Sequence, residues 1–179
     1  YFLIRYKHHK ALKSTVQSEG MAQAEVDRVK AIFSSLRLNP TYLQHEPCIT
    51  SEEAARMRGF ELKQGIKALL FGNGTGWVIV DVPADKKVNA KKVAAKMGWS
   101  NNKTKMATAE QVEEHTGCEI GAVPPFGHKE ELPLMVDAGV FDNQENGFNI
   151  GLRTHSVKIS TGDVRKVFEH LNAFVGDFT

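Results

Sequence analysis

The run Gly117-Cys118-Glu119-Ile120-Gly121-Ala122-Val123-Pro124-Pro125-Phe126-Gly127 limits what this chain can fold into more than any other stretch. Three glycines and two adjacent prolines within eleven residues exclude both a continuous helix and a ladder strand. Pro124 and Pro125 each hold φ at about −65° and remove a backbone donor. Val123, preceding a proline, is driven into an extended conformation. Gly117, Gly121 and Gly127 open positions where φ can be positive or where a ligand can meet bare backbone. The run therefore reads in two ways. It is a tight connection between a helix and a strand, or a rigid loop whose N–H groups around Gly121 and Ala122 receive a carbonyl or an oxyanion.

A loop of this kind needs a scaffold, and 179 residues suffice for one domain with a sizeable core. Apolar residues make up 41% and charged residues 25%, and no run approaches the ~18 apolar residues of a membrane span. Tyr1-Phe2-Leu3-Ile4 is too short for a signal-peptide core and runs straight into Arg5, Lys7, His8 and His9. The first residue is not Met, which reads as a piece of a longer chain. Residues 5–20 are polar and lack a period, so residues 1–20 read as a loose arm before a single domain over 21–179. Cys48 and Cys118 form no C-x-x-C pair and have no zinc-ligand partners at the usual spacing. The expectation is a reduced, cytoplasmic protein with no metal and no cofactor; the sequons at Asn73 and Asn102 then read as chance.

Hydrophobic spacing divides the domain. Val26, Val29, Phe33 and Leu36 make one stripe of a helix over 22–36, stopped before Asn39-Pro40. Tyr42 to His45 reads as a short strand. Thr50-Ser51-Glu52-Glu53 and Thr108-Ala109-Glu110-Gln111 are capping boxes opening helices to Arg58 and to about Thr116. Residues 65–71 and 77–82 read as a hairpin around Gly72-Asn73-Gly74-Thr75-Gly76. That turn is no phosphate loop, since no Lys-Ser/Thr pair and no helix follow it. Asn89 caps a helix from Ala90 to Met97. Pro133–Asp137, Phe148–Arg153 and His155–Ser160 read as strands, and Thr161 begins a last helix with Val164, Val167, Phe168 and Leu171 inward. Interspersed helices and hairpins mean a mixed α/β domain. The net charge of +2 does not mark a nucleic-acid binder. Its distribution is more telling: Lys86, Lys87, Lys91, Lys92, Lys96, Lys103 and Lys105 fall in one acid-free run. Such a run is a solvated helix face or a patch that follows a phosphate backbone.

Four signatures in order resemble the YbaK/ProX family of aminoacyl-tRNA editing deacylases, over roughly Leu43 to Leu171. Thr50-Ser51-Glu52-Glu53-Ala54-Ala55 is similar to its early helix, and Ile66-Lys67-Ala68-Leu69-Leu70-Phe71 to its lysine-bearing strand. Gly117 to Gly127 is similar to its G-x-x-x-G-x-x-P-F-G loop, and Asp137 with Asn149-Ile150-Gly151 completes the set. The resemblance implies a barrel-like mixed β-sheet surrounded by helices. It also implies hydrolysis of the ester joining a wrong amino acid (alanine, cysteine or serine) to tRNA, most often tRNA for proline. The water is helped by the terminal ribose hydroxyl, so no protein nucleophile is expected.

By the same resemblance Lys67 holds the terminal phosphate or the aminoacyl end, and Gly117, Gly121 and Ala122 present N–H groups to the ester. Pro124, Phe126, Asn149, Gly151 and His155 are placed around the substrate, although His155 follows the Asn149 strand only loosely and is equally a structural histidine. Ala68, Leu70, Val80 and the surroundings of Phe126 are candidate pocket walls. Lys86, Lys87, Lys91 and Lys92 become acceptor-stem contacts. His128 is a weaker candidate, and Cys118 lacks a histidine to activate it. Partners implied are tRNA and a prolyl-tRNA synthetase or synthetase complex. The rival reading is a tRNA-binding or docking module that has lost catalysis, attached through the helix over 22–36.

Overall fold

The computed structural model describes residues 23–179, so the arm expected over 1–20 lies outside the described residues. Helix α1 (residues 23–35) buries Val26, Val29 and Phe33, and the chain turns out of it at Arg37, φ 56°. Strand β1 (Thr41–Gln44) follows, then α2 (Ser51–Arg58), whose capping box is formed as its sequence requires: Thr50 accepts from the Glu53 N–H and Glu53 reaches back to the Thr50 N–H. Strands β2 (Ile66–Gly72) and β3 (Trp77–Pro83) make the expected hairpin. Its turn is held by the Asn73 side-chain oxygen, which accepts from the N–H groups of Thr75 and Gly76 at 3.0 and 2.8 Å. Helix α3 (Ala90–Met97), strand β4 (Lys105–Met106) and helix α4 (Ala109–Thr116) lead into the glycine-proline loop. Strands β5 (Leu134–Asp137), β6 (Glu145–Asn149) and β7 (His155–Ser160), helix α5 (Thr161–His170) and strand β8 (Phe174–Gly176) complete the chain.

The mixed α/β expectation is met, with the strands in two sheets. One is antiparallel in the order β1-β7-β6; the other is mixed, β4-β2-β3-β5-β8, with β5 parallel to both β3 and β8. They meet through a single parallel bridge, Gly65 to Gly147, and among the described residues do not close into a barrel. The strand expected over Phe148–Arg153 is displaced: β6 ends at Asn149, and Gly151, at φ 113°, turns the chain back so that the Ile150 N–H donates to the His155 carbonyl at 3.1 Å.

The larger sheet is buried on both faces. Val78, Val80 and Val82 pack under α3 with Val93 and Phe178, while Ile79 and Val136 face the main core. In that core Phe126 stands edge-on to Phe33, Phe148 and Phe168, with ring centroids 5.8, 5.5 and 5.6 Å away. The glycine-proline loop is thus nailed to α1, β6 and α5 by one aromatic ring.

Candidate active site

Strand β2 carries the site because its outer edge is only partly covered. Sheet β1-β7-β6 touches it at Gly65, and β4 pairs with it only at Phe71 and Gly72. Between those contacts opens a cavity of about 200 Å³. One wall is the β2 edge from Ile66 to Leu69. Facing it are the start of α2 (Thr50, Ser51), the loop at Ile120, Gly121 and Val123, and the side chains of Arg58 and Asn149.

Lys67 stretches along this wall, its ammonium donating to the Ala84 carbonyl at 3.2 Å. Burial pulls its pKa below the usual lysine range, and the nearby carboxylates of Glu52 and Asp85 oppose that pull. Its own strand supplies no counter-ion, so Lys67 is a half-buried cation available to an anion at the cavity.

Gly121 has φ 85°, a conformation that side-chain-bearing residues rarely adopt, and a Cβ there would come within 3.1 Å of the Ile49 carbonyl oxygen. Its orientation is fixed from both sides. The Arg153 guanidinium donates to the Ile120 carbonyl through Nε and Nη2 at 3.1 and 2.7 Å, and reaches Glu119 at 3.1 Å. In a trans peptide the C=O and the next N–H point opposite ways, so holding the Ile120 carbonyl against Arg153 turns the Gly121 N–H away from it. The Gly121 carbonyl accepts from Asn149 Nδ2.

Asn149 is itself gripped. Its side-chain oxygen accepts from Arg58 Nη2 at 2.6 Å and from the Ser156 hydroxyl at 3.1 Å, and Ser156 meets His45 Nε2 at 2.5 Å. Arg58 is 6% exposed, its Nε has no partner, and burial lowers its pKa to about 10. Glycine at 147 makes room for it, since a Cβ there would sit 2.8 Å from Arg58 Cδ. Sequence reasoning missed Arg58, which reads as the basic last turn of a short helix.

Several expected site residues are elsewhere. The Ala122 N–H donates to the Glu119 carbonyl at 3.0 Å and the Gly117 N–H to Glu113 at 2.9 Å, so neither is free for an ester. Gly117 ends α4 at φ 78° and makes room for the buried Glu25, whose carboxylate pairs with Arg28. The Pro124 carbonyl accepts from His128 Nε2 at 2.6 Å, and Phe126 is wholly buried in the core. The Gly151 N–H donates to the Ala122 carbonyl, which braces the loop from behind. His155, at the start of β7, meets the Thr154 hydroxyl at 2.7 Å and does not line the cavity. Leu70 and Val80 are core residues, whereas Ala68 does line the cavity. Cys118 is buried and its thiol is pushed up to about 12, away from the range of a nucleophile. Lys92 is spent on Asp177, at 2.7 Å, and on the Thr179 carbonyl. Lys86 and Lys87 stay exposed just past Ala84, at the end of the cavity that holds Lys67, and Lys91 is exposed on α3.

Among the described residues no acidic, thiol or imidazole side chain lines the cavity; the polar side chains there are Thr50, Ser51, Arg58, Lys67 and Asn149. Such a wall can bind anions and polarise a carbonyl, and a hydrolysis there must draw its proton acceptor from the substrate or from water.

No described helix is long and apolar enough to cross a membrane. Residues 45–167 match the family model described as the aminoacyl-tRNA editing domain. The chain is 31% identical over 154 residues to the multifunctional Ser/Thr-tRNA deacylase ProXp-y of Escherichia coli K12, covering 82% of this chain and 91% of that protein. It is 33% identical over 99 residues to the proline–tRNA ligase of Thermosipho melanesiensis, 55% of this chain and 17% of that enzyme. A crystal structure of a candidate trans-editing enzyme for prolyl tRNA synthetase superposes with a TM-score of 0.73 at 25% identity, covering 87% of this chain and 96% of that one. The chain belongs to the aminoacyl-tRNA editing domain family, the family of aminoacyl-tRNA deacylases.

Proposed function

We propose that this protein hydrolyses the ester of mischarged tRNA for proline, removing a small amino acid such as serine, alanine or cysteine. The observation that carries the reading is the convergence of Lys67 and the fixed Gly121 peptide on one cavity whose described lining holds no acidic, thiol or imidazole side chain to activate a protein nucleophile. An aminoacyl ester is activated already, so positioning and an oxyanion site are sufficient to hydrolyse it. Lys67 takes the phosphate of the terminal nucleotide, and the Gly121 N–H receives the acyl oxygen as it gains charge. Water adds to the acyl carbon, the bond to the ribose oxygen breaks, and the vicinal ribose hydroxyl relays the proton to the leaving oxygen. Lys86, Lys87 and Lys91 lie where the acceptor stem emerges and follow its phosphates. The named activity of the Escherichia coli relative on Ser/Thr-tRNA makes serine the first acyl group to try.

The test is deacylation of tRNA for proline charged separately with serine, alanine, cysteine and proline, by wild type and by Lys67→Ala. Release of a wrong amino acid by wild type, reduced at least about a hundredfold in the variant with an unchanged melting temperature, is the expected result. Equal turnover by the two proteins would remove Lys67 from the mechanism.

A further inference from the structure

We infer that the aminoacyl group docks as a one-residue β-strand on the uncovered edge of β2, hydrogen-bonded to the backbone N–H and C=O of Ala68; this rests on the deacylase reading above. The hydrogen-bond phase of β2 carries the inference. The Gly65 carbonyl accepts from the Ala84 N–H at 2.8 Å, on the β3 side, whereas the Leu70 carbonyl accepts from the Ala107 N–H at 2.8 Å, on the opposite side. Backbone groups of an antiparallel strand alternate in direction residue by residue. Lys67 and Leu69 therefore turn theirs to β3, and Ala68 turns both of its groups outward.

Outward at Ala68 is the cavity. It lies in the gap between the bridge at Gly65 and the β4 pairing at Phe71, and consecutive residues Ile66 to Leu69 all line it, as happens when a ligand space faces a strand edge and not a strand face. Among the described residues no hydrogen bond uses the outward N–H or C=O of Ala68.

An α-aminoacyl ester is the natural complement of that pair. In an extended conformation its ammonium donates to the Ala68 carbonyl, and its acyl oxygen accepts from the Ala68 N–H, reproducing one hydrogen-bonded pair of a β-ladder. Both bonds use atoms common to every amino acid, so they bind the aminoacyl group without reading its side chain. The Ala68 N–H becomes a second donor to the acyl oxygen opposite Gly121, filling the place that the committed Ala122 N–H leaves vacant. Discrimination among amino acids is left to the walls around Ile49 and Val123.

The experiment replaces Ala68 by its α-hydroxy acid, lactic acid, which keeps the methyl group and exchanges only the N–H for an ester oxygen. Seryl- and alanyl-tRNA for proline are the substrates, with propionyl-tRNA as the alanyl analogue lacking the amino group. The backbone ester should lower kcat/KM about tenfold or more for seryl and alanyl substrates alike, with the melting temperature little changed, because the N–H has no partner among the described residues and the only ladder bond affected is the one to the weaker ester carbonyl of residue 67. Wild type should hydrolyse propionyl-tRNA at least about tenfold less efficiently than alanyl-tRNA once each is divided by its own rate of spontaneous hydrolysis. Wild-type kcat/KM in the ester variant, a large fall in its melting temperature, or equal handling of propionyl and alanyl groups would each overturn the inference while leaving the deacylase reading intact. A wild-type protein that releases no amino acid from any of these would overturn both.

Discussion

Replacing Asp81 by valine should stabilise the protein, and by an amount that grows with pH. Asp81 lies in β3 between Val80 and Val82, on the face of Ile79, opposite Ala68 of β2 and Val136 of β5. It is fully buried, and neither carboxyl oxygen has a hydrogen-bond partner. Burial alone raises its pKa well above the ordinary 3.8, so the folded protein keeps the proton that the unfolded chain releases. Retaining an unpartnered neutral carboxyl costs about 1–3 kcal/mol. In addition, each pH unit above 3.8 over which the folded carboxyl stays protonated removes about 1.4 kcal/mol of stability. His128 works in the opposite direction. Burial lowers its pKa from 6.5 to about 4, so the unfolded chain binds the extra proton and stability falls by about 3 kcal/mol as pH drops through that window. Between pH 4 and 6.5 the His128 contribution opposes the Asp81 penalty, and above 6.5 His128 no longer contributes. Valine matches the three valines already in β3 and removes both costs. Urea unfolding of wild type and Asp81→Val at pH 5, 6, 7 and 8 measures this, because every other titrating group cancels in the difference. The gap should widen with pH, by about 1.4 kcal/mol per unit for as long as the folded carboxyl keeps its proton, and level off once it ionises. A gap that is constant with pH, or a less stable variant at pH 8, would refute the argument.

Other substitutions separate positioning from binding. Gly121→Val should abolish turnover and cost about 1–3 kcal/mol of stability, because φ 85° disfavours a side chain and the Cβ would press on the Ile49 carbonyl; normal activity would make the loop purely structural. Arg153→Ala should lower kcat about tenfold or more with KM and melting temperature little changed, since it frees the peptide that aims the Gly121 N–H; single-turnover kinetics would show this, and an unchanged kcat would mean that Asn149 alone fixes the loop. Lys86→Ala with Lys87→Ala should raise KM and flatten its salt dependence at constant kcat, whereas Lys92→Ala, already paired with Asp177, should leave KM alone.

The parts of this fold that local chemistry decides were readable from sequence. Thr50 and Thr108 sit three residues before a Glu and a Gln, and both boxes form; Asn73 and its glycines close the hairpin as their side chains dictate. Long-range pairing was not readable. Strand β4 is two residues long and β8 three, and each exists only because a neighbouring strand accepts it. The strand expected over Phe148–Arg153 starts three residues and ends four residues later than β6, because nothing in Phe148-Asn149-Ile150 shows that Gly151 must turn to brace Ala122.

The site shows the same division at finer scale. Sequence singled out the loop and the strand that line the cavity, and within each it could not tell which atoms face it. In the loop, Phe126 and Pro124 turn inward to anchor it, leaving Ile120, Gly121 and Val123 along the cavity. In the strand, parity directs the Ala68 backbone outward while its neighbour Lys67 supplies the charge. Arg58, Asn149 and Ser156 come from three separate elements, and only folding brings them together. That buried group is costly: a guanidinium with an orphaned Nε is retained where an apolar trio could pack. What the apolar trio could not supply is a side-chain amide that holds the Gly121 carbonyl with one end and is itself held at the other. The stability given up at Arg58 is therefore tied to the aim of one peptide, and that peptide stands across the cavity from the open stretch of the β2 edge.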